Sequence, residues 1–204
     1  PRQNLYSAGV AFHWRPEVQH VPADDLQTFV QELEQRGWLK RVSVEVDPIL
    51  EITEIADRVT KAGGPALLFE RVRGSAYPLL INAFGSTERM CLALGTQSFA
   101  AAAERIKNVL KPEIPTTLMQ KLRKLPELAQ LGSLPPRIVK RGVCQEVVHT
   151  DDADLFQLPA LKCWPEDGGR FITLGSVFTR QPDSGERNVG MYRVQLFEPR
   201  LAAM

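Results

Sequence analysis

The run Phe171-Ile172-Thr173-Leu174-Gly175-Ser176-Val177-Phe178-Thr179-Arg180, then Gln181-Pro182-Asp183-Ser184-Gly185, then Glu186-Arg187-Asn188-Val189-Gly190-Met191-Tyr192-Arg193-Val194-Gln195-Leu196-Phe197, decides the second half of the fold. Phe171–Arg180 and Val189–Phe197 read as two long strands, and the proline-to-glycine cluster between them forms a turn, so the spacing predicts a β-hairpin. Upstream, Val143–His149 alternates and predicts a further strand, which makes residues 137–204 a β-rich unit.

Working outward toward the N-terminus, residues 112–136 hold Pro112, Pro115, Pro126, Pro135 and Pro136 around one short helical stretch near Leu118–Leu125. Such proline density marks a connector between domains, set at 116–136. Before it, residues 23–115 alternate between helical and strand patterns. Leu26, Phe29, Val30 and Leu33 form one helical stripe, capped by Asp24 or Asp25 and closed at Gly37. Leu39–Val46 alternates as a strand, with Val42, Val44 and Val46 on its apolar side. Asp47-Pro48 reads as a helix start, followed by Ile52, Ile55, Ala56 and Val59 and a stop at Gly63-Gly64. Ala66–Phe69 and Pro78–Ala83 are short buried strands. Ser86 and Ser98 start two more helices, the second carrying Phe99, Ala102, Ile106 and Leu110 on one face. The pattern is that of an N-terminal α/β domain over 23–115 within a chain of α+β class. Residues 1–22 show no period and read as an extended arm.

Composition narrows the function classes. Hydrophobic residues make up 44% of the 204 and charged ones 24%, the balance of a soluble globular protein. Lys and Arg total 25 against 24 Asp and Glu, so the overall charge points to no nucleic-acid partner. Lys121, Arg123, Lys124, Arg137, Lys140 and Arg141 form the only basic excess, and without interleaved aromatics it reads as a solvated face. Cys91, Cys144 and Cys163 are far apart and odd in number, which disfavours a disulfide framework or zinc site and predicts a reducing, cytoplasmic setting. No apolar run approaches a membrane span.

Two segments are dense enough to carry chemistry. Leu158–Arg170, with Pro159, Cys163, Trp164, Pro165, Gly168 and Gly169, is an irregular loop of the kind that holds function on a rigid scaffold, or a structural loop whose Trp164 plugs the core. Cys163 has no histidine nearby in sequence except His149 and is expected to be a buried, inert thiol. In Glu186–Arg193, Asn188 offers a neutral hard oxygen suited to Mg²⁺, Mn²⁺ or K⁺ beside a phosphate. Gly190 allows close backbone approach, and Arg193 is a fork of donors matching a carboxylate or phosphate. A plain hairpin with a turn Asn and a solvent-facing Arg accounts for the same residues. Five positions separate Asn188 from Arg193, so a regular strand points them to opposite faces. One site for both requires a bulge near Gly190, or pairing that begins after Asn188.

These two segments resemble the UbiD family of prenylated-FMN-dependent decarboxylases. The resemblance extends through Leu50–Arg58, Gly63–Glu70, Asp151–Leu155 and Cys163–Asp167, covering about residues 24–204 in order. It implies that the α/β domain is followed by the start of a split β-barrel of the flavin-reductase type that holds prenylated FMN. By motif, Asn188 would ligate a divalent metal, Mn²⁺ by preference and with K⁺ possible, that bridges protein and cofactor phosphate. Met191, Tyr192 and Arg193 would line the cofactor, with Arg193 steering the substrate carboxylate and holding a catalytic acid. The implied reaction is non-oxidative decarboxylation of an aromatic or α,β-unsaturated acid, a polyprenylated hydroxybenzoate of quinone biosynthesis being the usual substrate of that kind. A flavin prenyltransferase as cofactor supplier, homo-oligomers and peripheral membrane contact for a prenylated substrate follow from the same likeness. Members are much longer, so the expectation is a front portion, inactive alone, with the proton donor beyond Met204. The alternatives are a non-catalytic flavin-binding or assembly module, as half of a split enzyme, and a flavin reductase-like oxidoreductase.

Overall fold

The computed structural model describes residues 25–110 and 138–204. The N-terminal arm, the proline-rich connector with the helical stretch expected near Leu118–Leu125, and Lys121, Arg123, Lys124 and Arg137 lie outside them; Lys140 and Arg141 are exposed.

Helix α1 (Leu26–Gln35) starts at Asp25, whose carboxylate accepts the Thr28 N–H at 2.7 Å, and ends before Gly37, which takes a φ of 70°. The Thr28 N–H is also the main reason the Asp25 carboxyl sits below its ordinary pKa. Strand β1 (Leu39–Val46), helix α2 (Glu51–Lys61) and strand β2 (Ala66–Val72) form a βαβ unit with parallel strands, and β3 (Leu79–Ile81) adds antiparallel to β2. Leu67 and Phe69 on one face of β2 pack with Val46, Ile52 and Val72. Ala66 on the other face meets Phe29, Leu33 and Leu92 from α1 and α3 (Thr87–Ala93). Helices therefore cover both faces of this small sheet, as alternation of periods 3.6 and 2 demands.

Three details differ from the sequence reading. A β-bulge between Val42 and Glu45 turns Val44 outward, leaving it 65% exposed instead of in line with Val42 and Val46. Helix α2 begins at Glu51 and not at Pro48, because the Pro48–Leu50 backbone is drawn into pairing with Lys162. The Leu50 N–H donates to the Lys162 carbonyl at 2.9 Å and the Lys162 N–H to the Pro48 carbonyl at 3.1 Å. Asp47 instead closes a turn, its carboxylate accepting the Ile49 N–H at 2.7 Å. Helix α4 (Phe99–Leu110) forms, but of its apolar stripe Ala102 is buried while Phe99, Ile106 and Leu110 are exposed.

The helix stop at Gly63-Gly64 has a packing reason as well as a conformational one. A Cβ on Gly64 would stand 2.7 Å from Val59 Cγ1 and 2.9 Å from the Val59 carbonyl oxygen. Gly64→Ala is expected to cost about 1–3 kcal/mol, since the backbone contact cannot swing away. Chemical denaturation would show it as a lower midpoint with an unchanged slope.

The second half is built on the expected hairpin. Strand β4 (Arg170–Arg180) pairs antiparallel with β5 (Arg187–Glu198), and β6 (Leu201–Ala203) adds to the far end of β5. Val143–His149 is not a strand. Val143–Gln145 is a single 3-10 turn, closed by the Gln145 N–H on the Gly142 carbonyl at 3.0 Å, and Val143, Val147 and Val148 are all exposed. No strand among the described residues pairs with this segment, and alternation that buries nothing yields to the local turn. The two halves meet through Leu161-Lys162, Lys162 bridging to Ile49 and Leu161 to Phe171.

Candidate functional site

The Leu161-Lys162 bridge fixes the root of the irregular loop, and the start of β4 fixes its end. Within it, Asp167 carries the geometry. One of its carboxylate oxygens accepts the Trp164 N–H at 3.1 Å and an Nη2–H of Arg193 at 3.3 Å. Trp164 does not plug the core; it stands 63% exposed while Asp167 is turned inward. The loop is compact because Gly168 and Gly169 leave room for β5. A Cβ on Gly168 would lie 2.9 Å from Gln195 Nε2, and one on Gly169 3.3 Å from the Leu196 carbonyl.

The Arg193 guanidinium carbon stands over the Phe171 ring, 3.8 Å from its centroid. That contact combines cation–π attraction with burial of the side-chain stem. The side chain remains half-exposed. Asp167 engages Nη2, so further donors of the fork remain for an arriving carboxylate or phosphate. Nothing in the sequence spacing connected Asp167 to Arg193, because 26 positions separate them.

Asn188 sits on the other side of the strand. Pairing runs without a break from Arg187 opposite Arg180 to Tyr192 opposite Gly175, so β5 is regular across Asn188–Tyr192. The bulge lies instead in β4, between Ile172 and Gly175, opposite Arg193. Alternation thus places Asn188, Gly190 and Tyr192 on one face and Val189, Met191 and Arg193 on the other. The Asn188 amide nitrogen donates to the Tyr192 hydroxyl at 3.1 Å, leaving its carbonyl oxygen for a cation. The Tyr192 ring also occupies the space that Gly190 leaves, its Cε2 being 2.6 Å from where a Cβ would stand. A ligand can approach the Gly190 backbone only if this exposed ring turns. Met191 is 67% exposed on the Arg193 face. Neither condition for bringing Asn188 and Arg193 to one face is met.

A cation at Asn188 fits in part. The amide supplies one neutral oxygen, and no group of three His, Cys, Asp or Glu suited to a metal occurs among the described residues. Cys163 is half-buried and free, the His149 ring meets Asp152 through Nδ1 at 3.1 Å, and among the described residues no hydrogen bond joins Cys163 to His149. Between the halves, Leu79–Gly85, Leu158–Leu161, Cys163 and Phe171–Gly175 line an apolar groove of about 660 Å³. No helix among the described residues is long and apolar enough to cross a membrane.

Comparison with known proteins agrees with this architecture. Residues 30–109 match the model of the 3-octaprenyl-4-hydroxybenzoate carboxy-lyase N-terminal domain, and residues 137–204 that of the carboxy-lyase Rift-related domain. A protein of Aquifex aeolicus is 48% identical over 176 residues, which cover 85% of this chain and 36% of that protein. The vanillic acid decarboxylase of Sedimentibacter hydroxybenzoicus in its open form superposes with a TM-score of 0.64 at 31% identity, over 86% of this chain and 34% of that one. HmfF from Pelotomaculum thermopropionicum, a UbiD-class enzyme in complex with FMN, gives 0.63 at 30% identity, over 85% and 34%.

The fold and both domain matches define a carboxy-lyase relationship. The chain belongs to the UbiD family. It spans just over a third of the length of the curated relatives it matches.

Proposed function

We propose that the protein takes part in non-oxidative decarboxylation of an aromatic or α,β-unsaturated carboxylic acid with prenylated FMN, and that this chain supplies one wall of the cofactor site. The observation that carries the reading is Arg193 of β5, held over Phe171 and against Asp167 of the irregular loop, with further donors of its fork left for a ligand. We further read residues 23–115 and 137–204 as two domains joined by 116–136, the second being the start of a split barrel. HmfF has also been seen in an evolved dimeric form in complex with prFMN, which supports the cofactor and is consistent with a homo-oligomer here.

In that reading the modified flavin supplies the electron sink for loss of CO₂. The chain's own residues bind and orient. Arg193 pairs with the substrate carboxylate or the cofactor, Met191 and Tyr192 give apolar and aromatic contact, and Asn188 offers one oxygen to a divalent cation beside the phosphate. The opposite faces of Asn188 and Arg193 set a constraint on this ligand. The two residues are about 17 Å apart along the strand at ~3.3 Å per residue. Strand β6 pairs with β5 only from Gln195 onward, so the β5 edge beside them, away from β4, is open among the described residues. An extended ligand with phosphate at one end, passing this edge, reaches both residues; a compact one does not.

The test is co-expression of the longest native form with a flavin prenyltransferase, followed by CO₂ release from a panel of aromatic and acrylic acids. Release from at least one acid is expected; none, with prenylated flavin bound, would refute the reading. Asn188→Ala is expected to lower bound Mn²⁺ after dialysis by about tenfold, as for loss of a contributor to a metal site. Unchanged metal content would remove Asn188 from the site.

A further inference from the structure

The mechanism just described uses Arg193 but leaves Asp167 without a role. Asp167 is the less exposed partner of the pair, its side chain 15% exposed against 46% for Arg193. It joins two groups: the backbone of the Trp164 turn and the guanidinium of Arg193 on β5. The β4 bulge lies opposite Arg193, where regular cross-strand pairing would otherwise help to fix that side chain. Phe171 supports the guanidinium from one side. A stacking contact alone leaves the cation free to slide and rotate in its plane, and a charged hydrogen bond at one edge removes that freedom.

We propose that Asp167 is a positioning residue for Arg193: it pins one Nη of the fork so that the other donors face an arriving anion in a fixed orientation. This rests on the reading that Arg193 meets a carboxylate or phosphate. Because Asp167 also holds the Trp164 N–H, the orientation of the fork is coupled to closure of the 164–167 turn. The pair carries little net charge, so the site presents a directed set of donors and not a bare cation, an arrangement suited to a monoanionic carboxylate.

Asparagine at 167 separates the two roles. Its side-chain oxygen still accepts the Trp164 N–H, but without the charge that holds Arg193. The measurement is side-chain NMR of the 204-residue chain, following the Arg193 Nη2–Hη signal, the group that Asp167 holds, assigned by its loss in Arg193→Lys. Benzoate is then titrated in as the probe. The wild-type signal is expected to be resolved and slow to exchange. Asp167→Asn should speed its exchange and weaken benzoate binding, each by about threefold, the scale of a partly exposed ion pair. Unchanged exchange in a folded Asp167→Asn chain overturns the proposal. If Asp167→Asn does not fold, Asp167→Glu decides: it keeps the charge within reach of Arg193, so slow exchange supports the proposal and fast exchange overturns it. If Asp167→Asn speeds exchange but benzoate moves the Arg193 signal in neither protein, positioning stands and the ligand reading fails.

Discussion

Phe69→Ala is expected to destabilise the chain by about 3–5 kcal/mol, the range for removing a buried aromatic from a core. Phe69 has no exposed surface and sits in the central strand of the first sheet, opposite Val42 of β1 and Leu79 of β3. Its ring packs within the cluster of Val46, Ile52, Leu67 and Val72. Removing the ring loses its burial and leaves a cavity that neighbours on two strands and one helix close only partly. Domains of this size are stable by roughly 5–15 kcal/mol, so the loss is a large share of the total. Urea unfolding followed by circular dichroism measures it. A loss under about 1 kcal/mol would show that this cluster collapses around the gap and is not the core of the first domain.

The helices of the first half were legible because their signals are local. The i, i+3, i+4, i+7 stripe of Leu26, Phe29, Val30 and Leu33 marks α1, of which Phe29 and Leu33 are buried and Leu26 is exposed, and it and the stop residues Gly37 and Gly63 depend on the backbone and on helical period alone. The hairpin was equally plain, since its turn and both strands are contiguous. What failed was set by distant partners. Pro48–Leu50 has every mark of a helix start, yet Lys162, more than a hundred positions on, takes its backbone groups. Val143–His149 alternates as a strand should, but among the described residues no strand pairs with it. Of the two readings of the 158–170 loop, the one in which Trp164 plugs the core fails, because Asp167 holds the Trp164 turn at the surface. At the candidate site the residues Asn188, Met191, Tyr192 and Arg193 were visible in one short run. Their division between two faces followed from period 2 once the strand proved regular, and the Asp167 contact needed the fold.

Arg193→Ala is expected to lower kcat/KM for decarboxylation by at least roughly 10- to 100-fold in the longest native form loaded with prenylated FMN. Hydrogen bonds to charged groups contribute about 1.5–3 kcal/mol, and each 1.4 kcal/mol is a factor of ten. On the proposed reading the loss would exceed that of a point charge, because the fork would also set the angle at which the carboxylate meets the cofactor, and misplacement by an ångström costs rate on its own. Arg193→Lys keeps the charge but loses both the two-point geometry and the guanidinium contact over Phe171, so it should recover only part of the activity. Stability is expected to change little in either variant, by about 1 kcal/mol or less, because the side chain is half-exposed and its ion pair is screened by water. This separation of activity from stability distinguishes a binding role from a structural one. A plain hairpin with a solvent-facing arginine predicts the reverse: full activity in Arg193→Ala, with whatever loss there is appearing in the unfolding midpoint.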